Sequence, residues 1–216
     1  MFAIGHFALG YLSSKPFSVL LKTRLNLPLL FAVSVLPDVD LILQFLEPAI
    51  FMHRGPTHSI LTSTALFIPF FVIYRKKAVP YYVALLSHAM LGDIFTGGFE
   101  MLWPLSEGWF SLMSMDVKSF TPVVLELSLF AVAVPVMFKT SDVQTLLKAN
   151  NHNFALILPF GAVFGPILQL GKGTDMSLPA LLVLPSVFYL CLFAYSMLLE
   201  LNVKLFKFPS QPAPKG

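Results

Sequence analysis

Charged residues and cysteine are scarce in this sequence of 216 residues. Charged side chains make up 12% of it and hydrophobic ones 56%, with a mean hydropathy of +0.79. Soluble domains carry about a quarter charged residues, so the deficit of charge points instead to a polytopic membrane protein. The single cysteine, Cys191, lies in an apolar run. It excludes an internal disulfide framework and a zinc site built from cysteines.

Basic tracts are also lacking, and the formal net charge is only +3. We therefore expect no nucleic-acid partner. The first stretch, MFAIGHFALGYL, has no basic region and contains a histidine. It does not have the pattern of a signal peptide, and we expect it to be retained. The length suggests one domain.

Seven apolar segments can be drawn along the chain, and they predict an all-α membrane bundle. Their approximate ranges are 2–13, 27–46, 59–74, 79–95, 120–138, 154–170 and 178–203. A span needs about 20 apolar residues, so the fifth and seventh segments qualify outright and the second and sixth come close. The others are short or contain His and Asp, and we expect half-spans or tilted helices. The prediction is a polytopic helical bundle with about 5–7 membrane segments, several short or kinked.

Basic residues separate into two sets when the seven segments alternate in direction. One set of loops holds eleven of the 14 Lys and Arg residues, and the alternate loops hold three. Cytoplasmic loops are enriched in Lys and Arg, so the first set should face the cytoplasm. We expect an integral protein of the cytoplasmic membrane whose metal site faces the extracytoplasmic side.

Ionisable residues within the apolar segments concentrate in the first half of the chain. The set is His6, Asp38, Asp40, His53, His58, His88 and Asp93. Polar side chains inside membrane segments are costly and usually functional. Nitrogen and oxygen donors without thiolate suit Zn, Mn, Fe or Mg. Seven donors are enough for one or two divalent ions, with a carboxylate as a bridge.

Turn-forming residues can bring some of these donors together. Gly55 and Pro56 lie between His53 and His58, so the two rings can converge from a loop and a helix start. If Pro37 starts a new helix, the carboxylates of LPDVD occupy its first turn, where the helix dipole favours negative charge.

His88 and Asp93 are five residues apart, about 140° around a regular α-helix. They can therefore face one site only if the helix ends or distorts near Gly92.

Several motifs together resemble the YdjM-like family of predicted membrane-bound metal-dependent hydrolases, which is distantly similar to zinc-dependent phospholipase C. They are GHFALG, LPDVD, HRGPTHS and LSHAMLGDIFTGG followed by LWPL, and they cover about residues 1–105. The resemblance implies that the seven residues above occupy the metal positions, with zinc as the expected ion.

Two residues are candidates for catalytic roles. Asp40 is either a direct ligand or an acceptor that orients a ligating histidine. Arg54 is either an interfacial anchor or a bidentate clamp for phosphate. Glu126, inside the fifth segment, could be an extra ligand, a general base or a packed acid.

The sequence thus predicts one membrane-embedded domain over residues 1–208. Residues 1–105 form the metal-site half, residues 118–206 the scaffold helices, and residues 209–216 a disordered tail. The expected function is metal-dependent hydrolysis of a phosphoester in a lipid or lipid-linked substrate, with the bilayer as partner. The alternatives are a divalent-ion transporter and a non-catalytic protein whose metal only holds helices together.

Overall fold

A computed structural model describes residues 1–43, 52–170 and 177–206. The α-helices are α1 Ala3–Leu20, α2 Leu27–Ser34, α3 Asp40–Leu43, α4 Ile60–Tyr74, α5 Val79–Ser87, α6 Phe120–Lys139, α7 Ile157–Leu168 and α8 Val183–Phe206. One short hairpin, β1 Phe99–Glu100 and β2 Trp109–Phe110, adds two antiparallel strands to the predicted all-α fold. The predicted tail 209–216 and the end of the second segment lie outside the described residues.

The second apolar segment is not one continuous helix over its described residues, 27–43. The helix α2 starts at Asn26, whose side chain accepts a hydrogen bond from Leu29 N, and ends after eight residues. A 3₁₀ helix, Leu36–Val39, and the short α3 follow. The break has a local cause, because Pro37 has no N–H to donate and also disfavours the helical conformation of the residue before it.

Among the described residues, three helical stretches are long and apolar enough to cross a membrane: Phe120–Lys139, Asn151–Leu168 and Ala180–Leu205. They match the fifth, sixth and seventh predicted segments. α1 runs to Leu20, well beyond the predicted end at residue 13. α4 has 15 residues and exposes apolar side chains such as Leu66 and Val72, as expected for a surface in contact with lipid.

The core is aromatic and centres on α1. Phe7 and Tyr11 are fully buried there, and Phe7 packs against Phe31 of α2 and against Tyr189 and Phe193 of α8. The ring centroids are 5.1–5.4 Å apart, which is the normal range for aromatic pairs. α1 is thereby fixed between the two halves of the chain.

The long elements run alternately in opposite directions, as the sequence predicted. Tyr11 donates to Asp142 after α6 (2.8 Å), and Asn26 N donates to the hydroxyl of Tyr81 at the start of α5 (2.9 Å). These contacts bring the ends rich in Lys and Arg together. We call this the basic end: residues 21–26, 75–78, 140–153 and 200–206. The predicted metal residues lie at the other end.

Candidate metal centre

All seven predicted metal residues meet at one end of the bundle. They come from four places: His6 in α1, the break after α2, the turn at residues 52–58, and the end of α5. His6, Asp40, His58, His88 and Asp93 are buried, with at most 2% exposure. The side chains of Asp38 and His53 are 20% and 36% exposed, so they mark the open side of the cluster.

Four ligand atoms converge at the centre of this cluster. His58 Nε2 lies 3.6 Å from Asp38 Oδ1 and 3.3 Å from Asp93 Oδ2. His88 Nε2 lies 3.3 Å from each of the same two oxygens. Four donors about 2.0–2.1 Å from one ion at tetrahedral angles are about 3.3 Å apart. The spacing therefore fits a single ion at the centre.

The hydrogen bonding of these atoms also fits a cation. His58 Nε2, His88 Nε2 and Asp93 Oδ2 are buried and have no hydrogen-bond partner among the described residues. Buried polar atoms are costly unless something satisfies them. A divalent cation would satisfy all three at once.

The contacts of the Nδ1 atoms fix which nitrogen of each imidazole points toward the centre of the cluster. His88 Nδ1 donates to Ser34 O (2.7 Å), the last carbonyl of α2, which has no partner within its helix. His53 Nδ1 donates to Asp40 Oδ1 (3.0 Å), and His58 Nδ1 lies 3.2 Å from Asp40 Oδ2. Each Nδ1 thus has an oxygen acceptor, which leaves each Nε2 with a lone pair for an ion.

Asp40 lies behind the histidines rather than among the converging atoms. Its Oδ2 also accepts from Arg54 N (3.0 Å) and from Thr57 Oγ1 (2.9 Å), so both oxygens are occupied. Burial raises the pKa of Asp40, but hydrogen bonds from His53 and His58 outweigh it and hold the pKa well below its ordinary value. Of the two roles that the sequence left open, the geometry favours orientation of ligands.

The electrostatics of the cluster favour a positive charge at its centre. Burial lowers the pKa of His58, but the nearby carboxylates of Asp38, Asp40 and Asp93 dominate and raise it well above the ordinary value. The same negative potential that would hold a proton on His58 would hold a metal cation.

The five-residue spacing of His88 and Asp93 is explained by a π-helical turn. α5 becomes a π-helix over His88–Gly92, followed by a 3₁₀ turn at Asp93–Phe95. In a π-helix the hydrogen bond joins residues five apart, so His88 and Asp93 fall on one face. The predicted distortion near Gly92 is confirmed.

Two glycines allow the close packing around this turn. A Cβ on Gly92 would lie 2.6 Å from Cε1 of His6, whose ring stacks on His88 with centroids 3.7 Å apart. A Cβ on Gly97 would lie 2.5 Å from Nη1 of Arg54, and Gly97 has a φ of +128° that favours glycine. Both positions therefore require a residue without a side chain.

Arg54 is used inside the protein. Its Nη2 lies 3.1 Å from Asp93 Oδ1, and its Nη1 donates to Thr96 O (2.6 Å). Its side chain is 15% exposed. One terminal nitrogen of the guanidinium thus contacts Asp93 and the other Thr96, so both are used within the protein rather than presented to a phosphate.

Glu126 supports the cluster from outside, and so do several residues that the sequence did not single out. Glu126 Oε1 accepts from Phe2 N (3.0 Å) and so holds the start of α1, four residues before His6. Thr57 and Thr96 bond to Asp40 and Arg54, and the carbonyl of Ser34 orients His88. Threonine and a backbone carbonyl give no signal in a sequence until their neighbours in space are known.

The potential ligands form two sets of three. The ligand atoms of His6, His88 and Asp93 all lie within 4.8 Å of one another, and so do those of Asp38, His53 and His58. These sets, called here the inner and the outer triad, contain six of the seven predicted metal residues. The missing one is Asp40.

A family model described as YdjM inner membrane protein matches residues 1–198. It extends the similarity well beyond the half of the chain that carries the recognised motifs. Neither the search of curated proteins nor that of solved structures found a match. The similarity to phospholipase C stays a prediction.

Proposed function

Since the chain belongs to the YdjM inner membrane protein family, we propose that this integral membrane protein is a metal-dependent hydrolase acting on a phosphoester at the membrane surface. The observation that carries the proposal is the division of six donors into an inner and an outer triad. Catalytic metal sites usually have three protein ligands and one open position. Two such ions side by side are the usual arrangement for phosphoryl displacement.

The residues of the two triads would hold one divalent ion each. Asp38 and Asp93 lie between the two triads, because an oxygen of each is 3.3 Å from a histidine of the other triad. Oxygen and nitrogen donors fit Zn, Mn, Fe or Mg. When bound, the ions would polarise the phosphoryl group and acidify a water nucleophile.

The remaining side chains of the cluster would orient rather than bind. Asp40 fixes the rings of His53 and His58 through their Nδ1 atoms. Arg54 holds Asp93 Oδ1, so that Oδ2 faces the centre. Such supporting contacts change metal affinity by about 10–100-fold when removed.

The apolar surroundings of the open side of the cluster, at Asp38 and His53, favour an amphipathic substrate. Three residues within four positions of Asp38 or His53 expose apolar side chains: Leu36 is 42% exposed, Ile42 58% and Met52 51%. A phosphate group could reach the ions from the headgroup region while its apolar part stays beside these residues. This favours a lipid or a lipid-linked phosphoester.

The test combines metal analysis with assays of turnover. Purified protein should contain close to two ions per chain, and a panel of lipid and soluble phosphomonoesters and phosphodiesters should give turnover that chelator abolishes and added metal restores. Protein with His152→Ala, a histidine at the basic end, serves as the control. Absence of metal-dependent turnover across the panel would refute the hydrolase proposal.

A structural metal is the second candidate, and one observation favours it. The four atoms of His58, His88, Asp38 and Asp93 have the spacing of a closed tetrahedral shell. This candidate predicts one ion per chain, no turnover, and a large fall in Tm on chelation. The metal count therefore separates the two functions.

A further inference from the structure

A second polar feature lies at the basic end, away from the metal centre. A cavity of about 940 Å³ opens between the turn after α1, the connection from α6 to α7, and the end of α8. Asp142 in its wall accepts a hydrogen bond from Tyr11 in the middle of α1, whereas His6 of the metal cluster lies near the start of that helix. The cavity has the size of a small-molecule site.

Two acids, Asp142 and Glu200, and two cations, Arg24 and Lys148, line this cavity. The two acids have their own cations: Asp142 pairs with Lys15, and Glu200 Oε1 lies 3.6 Å from Lys204 Nζ. Within the described part of the chain, neither Arg24 nor Lys148 has an ion-pair partner. Because Lys15 and Lys204, which lie outside the lining, pair with the two acids, Arg24 and Lys148 are left to contact a ligand.

The walls are held in place by hydrogen bonds between distant segments. The buried Asn153 donates to Lys148 O and to Ser196 O of α8, each at 3.0 Å. Leu27 N donates to Thr145 Oγ1 (3.1 Å), which ties α2 to the same connection. A site whose backbone is fixed in advance loses less entropy when a ligand binds.

We propose that this cavity binds a phosphate-bearing anion. Arg24 would pair with two phosphate oxygens and Lys148 with a third, while the side-chain amides of Gln144 and Asn150 supply further donors. The cavity opens where the long helices end, which is the level of lipid headgroups. The phosphate comes from an anionic lipid headgroup or from a soluble phosphate ester, and the two sources are distinguished by experiment. This proposal is independent of the metal centre.

The test measures binding to full-length protein in a neutral detergent. Calorimetric titrations use three probes: short-chain phosphatidylglycerol, short-chain phosphatidylcholine, and inorganic phosphate. The variant is R24Q with K148Q, and the control is K76Q with K77Q, which removes two exposed charges from the same end but outside the cavity. Each cation near a membrane surface contributes about fivefold to anion affinity, so the variant should bind roughly 30-fold more weakly and the control should be unchanged.

The outcomes separate the sources and can overturn the proposal. Binding of phosphatidylglycerol alone identifies a lipid headgroup, and binding of inorganic phosphate identifies a soluble phosphate ester. The proposal is overturned if neither phosphatidylglycerol nor inorganic phosphate binds. It is also overturned if the K76Q/K77Q control loses as much affinity as the R24Q/K148Q variant. Metal content of the R24Q/K148Q protein should equal that of wild type, which also shows that it is folded. If the double variant does not fold, K148Q alone should lose about fivefold.

Discussion

At the scale of single residues, the histidines of this protein differ in burial and in the atoms that their ring nitrogens face. His58 and His88 are buried, and their Nε2 atoms face the carboxylates of Asp38 and Asp93. His53 is more exposed and lies at the edge of the outer triad. His152 is at the basic end, where its Nδ1 lies 3.3 Å from Asn26 Nδ2.

The first prediction concerns His58, whose replacement should empty the outer triad. His58→Ala removes a donor common to both candidate arrangements, so the metal content should fall by at least one ion per chain. Elemental analysis of purified protein measures this. His152→Ala is the matched control and should retain the wild-type content. Unchanged metal content in His58→Ala would refute the site assignment.

The second prediction concerns Asp40, which contacts ligands and is not expected to bind the ion itself. Asp40→Asn removes the charge that orients two imidazoles, and metal affinity should fall by about 10–100-fold without complete loss of binding. Competition with a chelator of known affinity measures the change. Asp116→Asn, at an exposed position, should have no effect. Complete loss of metal would instead make Asp40 a direct ligand.

At the scale of elements, the site is built where regular helices are interrupted. α2 ends at Ser34 and leaves its last carbonyl free to accept from His88, a 3₁₀ helix with Pro37 in its first turn follows, and α5 becomes a π-helix at His88. Each interruption aims a polar group that a regular helix would direct elsewhere. The long helices α6, α7 and α8 contribute no residue to either triad.

The third prediction tests the π-helical turn through Gly92. Gly92→Ala places a Cβ 2.6 Å from His6 Cε1 and should displace that ring. We expect weaker metal binding and a loss of stability of about 1–3 kcal/mol. Metal content and Tm in detergent measure the two effects. Gly161→Ala, at a position with no atom within 4 Å of the new Cβ, is the control. Equal behaviour of the two variants would contradict the packing argument.

At the scale of the whole molecule, the metal cluster and the basic end lie at opposite ends of one bundle. The helices alternate in direction, so every second loop lies at the same end of the bundle. This alternation fixes the separation of the two features. Orientation in the membrane is a separate matter, which follows from the Lys and Arg distribution and stays a prediction.

The fourth prediction tests that orientation with a membrane-impermeant thiol reagent in intact cells. Cys191 is first replaced by Ser to remove the native thiol. Lys76→Cys at the basic end should resist labelling, and Ser106→Cys in the loop near the metal cluster should be labelled. Labelling at position 76 with protection at position 106 would invert the topology.

The sequence by itself determined the class of the protein and marked the residues of the candidate site. Scarce charge specified a membrane protein, the motifs specified the family, and seven His and Asp residues marked the cluster. Pro37, Gly55 and Pro56 indicated local turns, because these residues restrict or release the backbone wherever they occur.

Only the tertiary structure decided the role of each residue in the cluster. Asp38 and Asp40 are two positions apart, yet one faces the converging nitrogens and the other holds histidines from behind. Arg54 is bound to Asp93, 39 positions further along the chain. The direction of a side chain depends on which distant segments pack around it. The sequence pattern contains the ligands, but packing selects the atoms that meet.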